Sequence, residues 1–195
     1  QHLAFTDGLK TSIGFRGERV PRNSPTLVNF LNQDKFLLDG VNPSLEAQVL
    51  VPIQEHKEFD FHLVLIEERL KKNKKYTAMS LEGFGTQPSA IVITHSIALF
   101  EKTLISNNSK YDQYLRGDES ALNSSEKRGA EIFTKKLYCT ECHSGNNFTN
   151  YNLTNNGLYE VYADTGRMRQ SGLENDRAIF KIPSLRNIEL TAPYM

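Results

Sequence analysis

The sequence predicts an all-α chain whose helices are joined by long loops. Three observations carry that prediction. Apolar residues recur at three- and four-residue spacing along several stretches, which is the period of a helix with one buried face. Ser, Asn and Gly stand where helices would begin and end. Alternating strand patterns are few and no internal repeat is present. A length of 195 residues suits one large domain or two small ones.

The elements follow in order. The first forty-odd residues read as loop, with Gly8, Gly14 and Gly17 among polar neighbours and a turn-rich run from Pro21 to Pro25. Ser44 can cap a helix that runs through Leu45, Gln48 and Val49 towards Pro52. Glu58 to Lys72 is predicted as a longer helix, with Phe59, Leu63, Ile66 and Leu70 along one face. Tyr76 to Phe84 reads as a short helix ended by Gly85. Pro88 to Ile105 is the strongest helix; Ile91, Ile97, Ala98, Phe100 and Leu104 are assigned to its buried side and Glu101-Lys102 to its wet side. A helical turn covers Ser109 to Leu115, and Asn123-Ser124-Ser125 offers caps for a helix over Glu126 to Lys135 with Ile132 and Phe133 inward. The rest is irregular and rich in Asn and Gly until Phe180-Lys181-Ile182-Pro183.

Charge narrows the function. Lys plus Arg number 23 and Asp plus Glu number 23, so the net charge is zero and the basic footprint of a nucleic-acid binder is missing. The run Lys71-Lys72-Asn73-Lys74-Lys75 reads as a solvated helix end, with docking of a redox partner as its alternative. No apolar run approaches the ~20 residues of a membrane span; the longest, Ala90 to Phe100, is interrupted by Thr94, His95 and Ser96. The chain shows no secretory leader pattern, starts without Met and stops at Pro193-Tyr194-Met195, so both ends are expected to be cut from something longer.

The chemistry centres on Cys139-Thr140-Glu141-Cys142-His143. C-x-x-C-H is the pattern of covalent c-type haem attachment. Two thiols one turn apart can add to the two vinyl groups of one porphyrin, and the adjacent His143 then serves as proximal iron ligand. A redox disulfide and half of a zinc site are the competing readings. The first usually opens a helix in a strand-rich fold, and the second lacks another ligand pair. A buried haem would also organise the long loops, which are unusual in a compact domain otherwise. Of the remaining histidines, His95 reads as a core residue with a satisfied hydrogen bond, His62 as a helix-surface residue, and His56 is left open.

In order and spacing, several short segments resemble the di-haem cytochrome c peroxidases and their MauG-type relatives along nearly the whole chain. They include Ala4-Phe5-Thr6-Asp7-Gly8, Arg22-Asn23-Ser24-Pro25-Thr26-Leu27, Ser44-Leu45-Glu46-Ala47-Gln48 and Phe100-Glu101-Lys102-Thr103-Leu104-Ile105-Ser106. Tyr111-Asp112, Gly117-Asp118, Cys139 to Gly145, Pro183-Ser184-Leu185-Arg186-Asn187 and Leu190-Thr191-Ala192-Pro193-Tyr194 complete the series. The resemblance implies two cytochrome c-like helical domains, over 1–118 and 119–195. The first normally holds a peroxidatic haem, whose C-x-x-C-H lies before the segment matched by Ala4 to Gly8 and so outside this chain. The second holds the electron-transferring haem, matched by Cys139, Cys142 and His143. A parent protein would then carry two haems c and this chain at most one. The distal ligand of the second haem, a Met or a Tyr in relatives, falls beyond Tyr194; Met195 is the only sulfur near that point and is not assigned the role.

The resemblance also implies the rest of the machinery. A Gln and a Glu over the peroxidatic haem fall on Gln48 and Glu58, the amide to position peroxide and the carboxylate to move its proton. A calcium ion between the domains would be held by Asn23, Thr191 and Pro193, an all-oxygen donor set suited to that ion. The expected substrate is hydrogen peroxide and the expected electron donor a small cytochrome or cupredoxin. A homodimer is kept open as the assembly. Because haem c is attached outside the bacterial cytoplasm, the expected location is the periplasm. The alternatives are a MauG-type enzyme that oxidises a protein side chain and a plain c-type electron carrier. Two departures stand out: Phe15 occupies the loop in which many relatives carry an iron-capping His, implying an open iron without reductive activation, and Leu38 replaces a Trp between the haems.

Overall fold

The computed structural model describes residues 2–194. Its regular structure is helical apart from one two-stranded ladder, and its contacts group the chain into two compact units. One unit comprises Gln1–Leu37, Asn42–Leu104 and Glu189–Met195; the other comprises Leu38–Val41 and Ile105–Ile188. Among the described residues no helix is long and apolar enough to cross a membrane.

In the first unit, α1 (Leu45–Gln54) starts as expected, with the Ser44 side chain accepting from the Ala47 N–H. It runs two residues past Pro52, correcting the expected end. Pro52 removes only its own N–H from the ladder, and the last turn still closes through Glu55 N–H to Val51 C=O at 2.9 Å. Helix α2 spans Leu63–Lys71, so the expectation of a helix from Glu58 is also corrected. The segment before it folds back on α1. Phe59 N–H donates to the Pro52 carbonyl and Phe61 N–H to that of Ile53, satisfying groups that the helix end leaves orphaned. Asp60 sits at φ 48°, which no continuing helix permits. Helix α3 (Lys74–Phe84) is capped by Asn73 and ends at Gly85, whose φ of 69° suits a residue without Cβ.

Helix α4 (Ala90–Lys102) carries the largest correction. Its buried side is Val92, Ile93, Thr94, Ala98 and Glu101, whereas Ile91, Ile97 and Phe100 are exposed. Nearly every turn of this helix offers an apolar residue on each side, so spacing alone could not choose the face. His95, read as a core residue, is exposed, with Nδ1 2.9 Å from the Ile91 carbonyl of its own helix. The core of the unit is Phe30, Phe36, Leu45 and Ala98 with Leu27 against them. Helix α1 packs on α4 and is tied to it by Lys102 to Glu46 at 2.9 Å.

In the second unit, α5 (Lys110–Leu115) and α6 (Ser124–Glu131) both begin with a complete capping box, Ser109 with Asp112 and Asn123 with Glu126. Helix α6 widens into a π-helical turn over Ile132–Lys136, closed by Leu137 N–H to Ile132 C=O. Ile132, expected inward, is exposed. A short helix α7 (Met168–Ser171) follows, and β1 (Leu153–Thr154) pairs antiparallel with β2 (Phe180–Lys181).

Candidate functional site

The cysteine pair leaves the π-helical turn directly. Tyr138 takes a left-handed φ of 54° and reverses the chain into a 3₁₀ turn over Cys139–Glu141. His143 N–H then donates to the Cys139 carbonyl at 2.8 Å, which winds both cysteines and the histidine into one turn. Both thiols are free, Cys139 half-buried and Cys142 exposed. His143 Nδ1 lies 2.9 Å from the Phe148 carbonyl. A carbonyl can only accept, so Nδ1 carries a hydrogen and Nε2 is the nitrogen left for a metal. That is the arrangement a metal-ligating histidine needs, with its other nitrogen anchored. His143 lines a cavity of about 230 Å³ with Tyr111, Leu115, Phe133 and Phe148 on its walls. Free thiols one turn apart, an oriented imidazole and apolar aromatic walls fit a covalently held haem. Among the described residues no three His, Cys, Asp or Glu side chains converge as a metal cluster, which leaves the zinc reading without support.

The loop that orients His143 is itself clamped. Arg186 donates to both carboxylate oxygens of Asp112, at 2.6 and 2.7 Å, and its Nε donates to the Asn146 carbonyl. Its guanidinium stands 5.4 Å from the Phe148 ring centroid. Ser184 Oγ donates to the Asn147 carbonyl, and Thr149 Oγ1 to that of Ile182 at 2.7 Å. The arginine, with help from Ser109, holds the Asp112 carboxyl far below the usual range despite burial. Asp112 and Arg186 entered the sequence reading only as parts of matched segments; their meeting across 74 positions left no local signal.

In the first unit, Gln48 lies in the second turn of α1, and its Oε1 is buried without a hydrogen-bond partner. Glu58 lies in the turn that folds back on α1, and partial burial, then repulsion from Glu55, raises its pKa. No hydrogen bond joins Gln48 to Glu58 among the described residues. The loop of Gly14 and Phe15 presses against this turn: Phe15 N–H donates to the Glu58 carbonyl at 2.7 Å. A Cβ on Gly14 would come 1.7 Å from the Lys57 carbonyl oxygen, so glycine is required there. Arg16 pairs with Asp60, which also meets His56 Nδ1 at 2.7 Å. His56 thus serves the turn that carries Glu58.

The Asn23 side chain donates to the Leu9 carbonyl at 2.8 Å and lies 3.4 Å from that of Pro193. Thr191, nearby in sequence, is buried. Met195 lies outside the described residues.

The model of the di-haem cytochrome c peroxidase family matches residues 1–120, more than half of the chain. The chain belongs to the di-haem cytochrome c peroxidase family. Haem c is that family's cofactor, and the attachment turn at Cys139 has the residues to hold one. The chain is 35% identical to the methylamine utilization protein MauG of Methylorubrum extorquens over 99% of its own length and 56% of that protein's. It is 36% identical to the cytochrome c551 peroxidase of Nitrosomonas europaea, over 98% of its length and 59% of that relative's. The crystal structure of a MauG-like protein associated with microbial copper homeostasis superposes with a TM-score of 0.88, at 28% identity, covering 100% of this chain and 63% of that one. The chain therefore spans somewhat over half the length of these curated relatives.

Proposed function

We propose that the intact protein reduces hydrogen peroxide to two waters, taking two electrons from a small cytochrome or cupredoxin and two protons from the medium. In this reading the chain forms two cytochrome c-like domains, 1–118 and 119–195, and electrons enter at the haem held by Cys139, Cys142 and His143. Bound haem supplies the redox-active iron. Glu58 takes a proton from one peroxide oxygen and returns it to the leaving one; its raised pKa brings it closer to the working pH, where a carboxyl can both give and accept. Gln48 positions the peroxide through its amide. The single observation that carries the peroxide-site reading is the buried Gln48 Oε1 without a protein partner. Such an atom is costly unless it bonds something else, and a peroxide O–H is a suitable donor.

Two further parts belong to the same reading. Asn23, with the Thr191 and Pro193 carbonyls, offers hard oxygen donors for calcium once the Asn23 amide turns its oxygen towards them. The location is the periplasm, where haem c is attached. A MauG-type oxidation of a protein side chain is the second reading, favoured by the 35% identity to MauG.

Full-length protein carrying haem decides between them. The proposal expects the resting, fully oxidised protein to consume peroxide, since Phe15 replaces the capping histidine, and to oxidise two one-electron donor molecules per peroxide. Donor oxidation without peroxide loss would mark a plain electron carrier. Peroxide loss with a modified side chain on an added protein and no donor turnover would favour the MauG-type reading.

A further inference from the structure

The backbone is left-handed at three aromatic residues around the attachment turn. Tyr138 (φ 54°) precedes the turn, and Phe148 (φ 50°) and Tyr151 (φ 58°) follow it. A bulky side chain is uncommon in that region and stays there only when its surroundings hold it. Tyr138 reverses the chain, and the Tyr151 hydroxyl accepts from Asn147 Nδ2 at 2.6 Å. Phe148 has a different duty, because the peptide that follows it is bonded at both ends. Its carbonyl accepts from His143 Nδ1 at 2.9 Å, and the Thr149 N–H on the same peptide donates to the Ser144 carbonyl at 2.9 Å. Turning φ of Phe148 to the ordinary negative range would swing that carbonyl off His143.

The ring of Phe148 is where the surroundings take hold. Its centroid lies 5.6 Å from that of Tyr111 on α5 and 6.3 Å from that of Phe133 in the π-helical turn. The Arg186 guanidinium stands 5.4 Å from it and is itself fixed by both oxygens of Asp112. Three stretches far apart in sequence therefore meet on one ring, and none of these contacts involves His143. The packing fixes the ring, the ring fixes a backbone conformation that phenylalanine otherwise avoids, and that conformation aims the carbonyl.

We infer that the Phe148 ring is the anchor that keeps the proximal histidine hydrogen-bonded, and that Phe148 thereby sets the potential of the haem held by Cys139, Cys142 and His143. The inference rests on the haem reading of the C-x-x-C-H turn but not on peroxide chemistry. A histidine that donates from Nδ1 is a more basic ligand at Nε2. A more basic ligand favours the oxidised iron, which carries one positive charge more. Losing the anchor therefore raises the potential. Phe148 also lines the cavity at His143. If lining were its whole role, a smaller side chain would admit water, which favours the more highly charged iron and lowers the potential. The two roles thus differ in sign. Phe148 is a positioning residue; it acts through His143.

The test is potentiometric titration of full-length, haem-loaded protein, with the visible bands of the two haems followed separately. Phe148→Leu is expected to shift the reduction equilibrium of one haem about tenfold towards the reduced form, the low end of the effect of losing an outer-shell partner. That is about 59 mV upward for one electron, with the other haem unmoved. Phe148→Tyr, which keeps the ring, should hold the wild-type value. Asn123→Ala, which weakens the same unit away from the ring, should hold it too. If Phe148→Leu does not accumulate, Tyr111→Leu removes one of the ring's contacts and should give a smaller upward shift. An unmoved or lowered potential in Phe148→Leu, or in Tyr111→Leu where it stands in, overturns the inference. So does an equal shift in Phe148→Tyr or Asn123→Ala. Wild-type protein without covalent haem would overturn the attachment reading and this inference with it. Because no step needs peroxide turnover, the outcome is independent of the proposed activity.

Discussion

The turn around Cys139 and the turn around Glu58 handle polar groups in opposite ways. At the first, His143, Asn146, Asn147 and Thr149 all have named partners, and a bidentate ion pair backs the loop. At the second, Gln48 Oε1 is buried without a partner and the Glu58 carboxyl is pushed towards its neutral form. Under the proposed function the difference would match two kinds of work. A site that passes electrons gains from a ligand that does not move. A site that moves protons needs polar atoms not already committed to the protein, at some cost in stability.

The comparison can be broken at its strongest point. Arg186→Ala would leave the buried Asp112 carboxylate without its guanidinium, and removing one partner of a buried pair costs about 3–5 kcal/mol. Denaturant melts at neutral pH should show that loss. The acid behaviour should change too. The folded pKa of Asp112 is depressed, so its stabilisation is present above the unfolded value near 3.8 and is lost as pH falls through the folded value. Wild type should therefore lose stability on acidification below about pH 4, and Arg186→Ala should lack that component. A smaller effect is expected in the other unit. Gly14→Ala drives a Cβ into the Lys57 carbonyl and must displace the turn that carries Glu58. It should cost about 1–3 kcal/mol and lower peroxide turnover, with the bands of the Cys139 haem unchanged. Least affected should be Asn123→Ala, which removes one helix cap at a cost of about 1 kcal/mol and leaves both haem spectra alone; a thermal melt beside the spectra checks it.

How much of this was legible follows from the range of each interaction. Caps were readable because they span three residues: Ser44 and Asn123 each bond the helix they precede. Gly85 ends α3 for an equally local reason. The turn that brings Cys139, Cys142 and His143 together was legible because the C-x-x-C-H spacing is local. The start of α2 was not, because Asp60 and the bonds from Phe59 and Phe61 back to α1 are tertiary features. The buried face of α4 escaped for a different reason. The charge on Glu101 argued for water, yet Glu101 is buried, with its pKa raised by that burial. The Phe148 carbonyl that orients His143 is a backbone group, and no side-chain pattern reports it.

The central claim is the division of labour between these two turns. With α2 beginning at Leu63, Glu58 caps no helix, and a purely local structural role for it loses its basis. The most direct measurement is single-turnover kinetics on full-length, haem-loaded Glu58→Gln, with peroxide decay and reduction of the Cys139 haem by donor followed in the same samples. The account predicts peroxide decay slowed roughly a hundredfold or more, the scale of losing a general acid–base group, and donor-driven reduction of the haem at its wild-type rate. Peroxide decay at the wild-type rate, or both rates falling together, would contradict it.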